Sequence, residues 1–272
     1  MWTRFYNRYG DLNQRDNFER CLSTMLRHKP MQVLQPNPSR IRREFWQGPP
    51  TYTRLFALFH EHYAERLGKP RWGDQLGSIE RYANPIFAAF PTAKMIHMIR
   101  DPRERLEESK NRSRSRQGKT GWNTARWLDS VSLSKRNQYQ YPNDYKVVRY
   151  ETLYSQPEQT LKEICAFIGE DFVPDIGAMK DATEFEAIKG TGANHNPDLG
   201  RGTPASNNGF HKGITKREIA FTQAYAGREM LAFNYPLEPI QFSLHDRLLF
   251  YFVDWPANRA GMVAWNMAKS RQ

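Results

Sequence analysis

The chain reads as an α/β protein, a parallel sheet flanked by helices in three layers, and three observations carry that reading. Two short β-rich runs, Lys94 to Ile99 and Tyr145 to Tyr150, are too short for buried helices. Each leads directly into a helix signature. The resulting order of helix, strand, Arg-Asp-Pro-Arg, helix, strand, Tyr-Glu, helix is that of an α/β fold.

The elements follow in order. Tyr9 to Leu26 and Tyr52 to Leu67 carry apolar residues at spacings of three and four and read as helices, with Pro30 to Pro50 as a proline-rich connector. After Lys69 to Asp74, the residues Ile79, Tyr82, Ala83, Ile86 and Phe87 fall on one helical face, closed by Phe90-Pro91. The strand from Lys94 ends at Arg100, and Asp101-Pro102 sets an N-cap residue before a proline suited to the first helical turn. The strand at Tyr145 runs into Glu151 and then Ser155-Gln-Pro-Glu158, which reads as a capping box. Leu161, Ile164, Cys165 and Ile168 share a face of the helix that follows, with Gly169 as its stop. Asn194 to Asn208, rich in Gly, Asn and Pro, reads as a loop. Leu244 to Trp265 mixes large apolar residues with Asp246, Arg247, Asp254 and Arg259, too interrupted to span a bilayer. Packing against the domain is favoured for it over contact with a membrane surface, which stays open.

Length and composition fit one domain. At 272 residues and 39% hydrophobic content the chain buries a single core. It divides into a helical acceptor-side region at 1-68, a cofactor-binding core at 69-240 and a helical tail at 241-272. Cys21 and Cys165 are too few and too far apart for a disulfide framework, and the seven histidines are scattered, so no metal is expected. No signal peptide or membrane span is visible in the chain as given, which points to the cytoplasm.

The net charge of +11 indicates an anionic ligand or partner. At the turn after Ile99, a strand end, a helix start and the guanidinium of Arg100 converge, an arrangement that favours phosphate. The competing reading is that Arg100 and Arg103 only pair with Asp101 and Glu104 on a solvated face. Lys110 to Lys119 is the densest basic run and reads as a lid over an acidic ligand in preference to an RNA-binding arm.

Four segments in this order resemble the sulfotransferases that use 3'-phosphoadenosine-5'-phosphosulfate (PAPS). They are Trp72-Gly73-Asp74, Phe90 to Arg103, Val148-Arg-Tyr-Glu151 with the Pro157 helix, and Phe210 to Ile214 with a helix ending at Asn234-Tyr235. The resemblance implies the P-loop-like three-layer sheet of that family. It also implies sulfuryl transfer from PAPS, without a metal, to a hydroxyl or amine of a small-molecule, lipid or carbohydrate acceptor. In that comparison Arg100 binds the 3'-phosphate, Tyr150 lies against the adenine, and His211, Lys212 and Gly213 cover the phosphate from a late loop. The family's serine falls eight residues after the arginine, where this chain has Glu108, so Ser109 is carried over as the partner. Apart from the resemblance, Asp74 is the candidate base because it sits just after a predicted helix at the crevice, with a helix cap as its competing and favoured reading.

The departures are at the N-terminal side. No Gly, Ser and Thr-rich loop after a strand is present to hold the 5'-phosphosulfate, and Gln75-Leu76-Gly77 stands where the family often has a lysine-containing element. The expectation is therefore a fold lacking its first strand, the C-terminal part of a longer enzyme, or else a paralogue that binds nucleotide or RNA without catalysis. A P-loop kinase is a poor fit, since no Gly-x-x-x-x-Gly-Lys-Ser/Thr occurs.

Overall fold

The computed structural model describes residues 2–112, 119–174 and 213–270. They fall in two compact units, with the boundary between Ala89 and Phe90.

The first unit is helical: α1 (Trp2–Tyr9), α2 (Arg15–Arg27), α3 (Lys29–Val33), α4 (Pro38–Phe45), α5 (Tyr52–Arg66) and, after a 3-10 turn at Ile79–Tyr82, α6 (Ala83–Ala89). The proline-rich connector is thus not an open linker. Its prolines open helices, since Pro30 and Pro38 lie in the first turns of α3 and α4, where the missing N–H costs nothing. Asn37 and Thr51 cap α4 and α5 by accepting the Arg40 and Arg54 backbone N–H groups. Phe18 and Phe45 stack at 4.2 Å in a core with Leu22, Ile41, Leu55 and Phe59.

The second unit holds the sheet. Strand β1 (Met95–Ile99) pairs in parallel with β2 (Tyr145–Arg149), with Met95 opposite Tyr145 and Ile99 opposite Arg149. Between them run α7 (Pro102–Arg112) and α8 (Lys119–Gln140). After β2 come α9 (Tyr150–Ser155), α10 (Pro157–Ile168) and α11 (Lys216–Ala232). The tail is one helical rod: α12 (Leu244–Leu249), a π turn (Phe250–Asp254) and α13 (Trp255–Ser270).

Ile99 and Val147 pack on Trp127 and Val131 of α8 and on Ala226 and Met230 of α11. His97 joins that face by bridging Tyr145 Oη (2.6 Å) and Ser130 Oγ (3.0 Å). On the opposite face β1 is open, with Ile96 and Met98 36% and 45% exposed, whereas Val148 of β2 beside Met98 is buried. Among the described residues the sheet has two strands, where the sequence predicted a larger three-layer one.

The expected capping box at Ser155–Glu158 does not form. Ser155 closes α9, and Gln156 serves both as its C-cap and as the N-cap of α10, giving no side-chain cap to the latter. Pro157 starts α10, and Gly169 ends it in the left-handed conformation at φ +74°, as the sequence indicates. The capping box lies instead at Thr215 and Glu218, opening α11.

The tail is locked by a close backbone approach. The Gly121 N–H on α8 donates to Asn258 Oδ1 of α13 at 3.1 Å, and a Cβ at Gly121 would overlap the Asn258 carbonyl. Gly121→Ala is expected to cost about 1–3 kcal/mol through this overlap, read in thermal unfolding. An unchanged midpoint would mean the two helices are free to separate.

Candidate functional site

The site is built where β1, β2, α7 and α11 end or begin. Asp101 Oδ1 accepts the Arg103 backbone N–H at 2.8 Å, the N-cap bond of α7. The Asp101 N–H itself donates to Glu151 Oε1 at 2.7 Å, so the turn after β1 is tied to the residue just past β2. Glu151 Oε2 accepts from Tyr235 Oη at 2.9 Å, bringing in the segment after α11. The Arg149 guanidinium lies 4.6 Å from the Tyr235 ring centroid and donates to the Asn234 carbonyl at 3.4 Å. Three segments singled out separately in the sequence, at Arg100–Asp101, Arg149–Glu151 and Asn234-Tyr235, thereby meet in one hydrogen-bonded junction.

Burial pushes the Glu151 carboxyl above the ordinary carboxylate range, against the opposing pull of the Asp101 N–H and Tyr235. The folded protein then holds a proton that the unfolded chain has released, so this contribution to stability falls as pH rises from the ordinary carboxylate pKa to the raised one. Glu151→Gln keeps an acceptor for the Asp101 N–H and is expected to flatten this slope in urea unfolding as pH rises above the ordinary carboxylate pKa of about 4. Glu151→Ala strands the N–H and the phenol, and is expected to cost about 1–3 kcal/mol. Equal behaviour of the two variants would refute the junction.

Arg100 follows β1 directly, and its backbone carbonyl is fixed by Trp127 Nε1 at 2.9 Å. Its guanidinium lies 4.6 Å from the Tyr150 ring centroid. Glu104 accepts from Nε at 2.9 Å and Glu108 from Nη1 at 3.4 Å, the carboxylates one and two turns along α7. Burial acts against the charge of Arg100, but these carboxylates outweigh it and raise its pKa.

Ser109 is not brought to Arg100. It is one residue, about 100°, around α7 from Glu108, and its Oγ accepts from Asn123 Nδ2 of α8 at 3.3 Å. Glu108 keeps its place in line with Arg100, so the helix neither shifts nor rotates to present the serine. The helix start is also less open than its sequence suggests: Pro102 has no N–H, and those of Asp101, Arg103 and Arg105 are already donated.

The pairing reading of Arg103 is half right. It does bind Asp101, at 2.6 Å, but it also reaches Glu238 at 2.8 Å and Gln223 at 3.0 Å, and it is only 4% exposed. This is a buried clamp in place of a solvated face. Gly213 packs on α7, donating its N–H to Glu107 Oε1 at 2.9 Å. Lys110 pairs with Glu218 at 2.8 Å. His211, Lys212, the Asn194–Asn208 loop and most of the basic run lie outside the described residues.

Asp74 belongs to the first unit, exposed in an irregular segment well past the end of α5. It does not cap a helix. Trp72 anchors that segment on α5, its ring 4.7 Å from His60 and 5.9 Å from Phe56.

A model of the sulfotransferase family matches residues 7–175, more than half of the chain, and spans Trp72, Arg100, Ser109 and Tyr150. The chain belongs to the sulfotransferase family. No curated protein and no solved structure matches it. The Arg100 cation at the end of β1 is shared with two carboxylates. Trp127 Nε1 holds the Arg100 carbonyl, and Tyr235 Oη donates to the carbonyl of Ile99 just before it. Of the groups of His, Cys, Asp and Glu among the described residues, none is arranged to hold a metal ion.

Proposed function

We propose that this sulfotransferase moves a sulfuryl group from PAPS to a hydroxyl or amine of a small-molecule, lipid or carbohydrate acceptor, with Arg100 receiving the 3'-phosphate. The observation that carries this is the placement of Arg100: at the carboxyl end of a parallel strand, against the Tyr150 ring, beside a helix start. Brought to that corner, a phosphate competes with Glu108, whose 3.4 Å contact and 38% exposure make it the weaker of the two pairings. The exchange gives Arg100 a charge-assisted phosphate pair and leaves Glu104 in place. Tyr150 offers a face for the adenine.

PAPS supplies the sulfuryl group, and Arg100 and Tyr150 supply binding and orientation. His211 and Lys212 belong to this reading as further phosphate ligands. A three-layer sheet belongs to it as well, since the exposed Ile96 and Met98 are the face that another layer would cover.

Incubation with radiolabelled PAPS and a panel of hydroxyl and amine acceptors tests the reading. Labelled product formed by the wild type and reduced in Arg100→Ala is expected. Label remaining in the donor across the panel, while nucleotide still binds through Arg100, would return the protein to a non-catalytic nucleotide-binding role. The spent helix-start N–H groups are the observation on that side.

A further inference from the structure

The rod from Leu244 to Ser270 has two unlike sides. One is fixed to the second unit: Trp265 meets Trp122 edge-on at 5.1 Å, Trp255 packs on Phe221 and Tyr225, and Arg217 binds both Asp246 (2.9 Å) and Asp254 (2.6 Å). Lys269 pairs with Asp129 at its far end. The other side carries Leu244, Leu248, Phe252, Val263 and Met267, between 53% and 80% exposed.

Their spacing puts them in one stripe. Leu244, Leu248 and Phe252 recur every fourth residue, which in a pure α-helix drifts around the axis. The π turn at Phe250–Asp254 absorbs that drift, and Val263 and Met267 return to the same line about three turns later. The stripe runs roughly 35 Å.

The free charge beside it is positive. Both carboxylates of the rod, Asp246 and Asp254, are held by Arg217. Arg247 and Arg259 are exposed and pair with no carboxylate among the described residues. An apolar stripe flanked by cations, on a chain of net charge +11, suits an interfacial helix.

We propose that this stripe docks on an anionic lipid surface, the rod lying in the headgroup plane with Leu248 and Phe252 inserted and Arg247 and Arg259 on lipid phosphates. A second copy of the chain fits less well. Two stripes face to face, parallel or antiparallel, oppose arginine to arginine with no free carboxylate between them. No described helix is long and apolar enough to cross a membrane, so the contact is peripheral.

Co-sedimentation of the full chain with phosphatidylcholine vesicles, with and without phosphatidylserine, tests this. Binding to the phosphatidylserine vesicles is expected. Leu248→Ser with Phe252→Ser should weaken it at least tenfold. Arg247→Gln with Arg259→Gln, which removes no apolar contact and so decides the matter if the first pair unfolds early, should weaken it roughly thirtyfold at low salt. Absence of vesicle binding, or binding unchanged in the charge variant, overturns the proposal. So does sedimentation equilibrium showing a self-association that the Leu248 and Phe252 changes abolish.

Discussion

Arg103→Met is expected to destabilise the second unit by about 3–5 kcal/mol, the range for stranding buried charges. Asp101 and Glu238 both direct carboxylate oxygens at this guanidinium, at 2.6 and 2.8 Å, and Arg103 has almost no access to water. Methionine fills much of the volume but leaves two carboxylates facing it. The same bonds tie the start of α7 to the segment after α11, so urea unfolding should show the loss as a lowered midpoint with an unchanged slope. Adding Asp101→Asn and Glu238→Gln should recover part of it, because asparagine still caps the helix and neither amide carries charge. A loss below about 1 kcal/mol, the range of an exposed pair, would show that the clamp is solvated after all.

Arg100→Ala and Glu108→Gln are expected to act in opposite directions. Removing Arg100 takes away a charge-assisted contact worth roughly 1.5–3 kcal/mol and should weaken 3',5'-adenosine bisphosphate by about tenfold to a hundredfold. Removing the charge of Glu108 eliminates the competitor and should tighten the nucleotide a few-fold, in keeping with about 0.5–1 kcal/mol for a partly exposed pair. In the double variant the gain from Glu108→Gln should vanish, since it acts only through Arg100. Calorimetric titration of the four proteins reads all three values. A gain that persists without Arg100 would mean that Glu108 repels nucleotide at a distance and does not occupy its site.

The strand-turn-helix at Met95 to Arg112 was legible in the sequence because its signals are local: a short β-rich run, Asp-Pro at the cap, and carboxylates spaced four apart. The Arg100–Glu104 pair follows from that spacing alone. Glu108 was passed over in favour of Ser109 as the partner of Arg100. It is in fact the second carboxylate on the cation, beside Glu104, which the same spacing extended by one turn could have shown. What stayed hidden depends on distant partners. The bonds from Arg103 to Glu238, Glu151 to Tyr235, and Trp127 to the Arg100 carbonyl each link segments far apart in the chain, and no local pattern marks them. The capping box was misplaced because Ser155 and Thr215 present the same local pattern, and only the end of α9 at Ser155 decides between them. Prolines misled in the first unit, where they start helices as readily as they interrupt them. The tail stripe escaped detection because a π turn breaks the regular period just where the exposed residues must be aligned.

The account stands on Arg100 as a receptor for the 3'-phosphate, and the most direct measurement is calorimetric titration of the wild-type protein with 3',5'-adenosine bisphosphate against 5'-AMP. The two ligands differ only in the 3'-phosphate, so the expected result is tighter binding of the bisphosphate by about tenfold to a hundredfold. Equal affinity for the two nucleotides would contradict it.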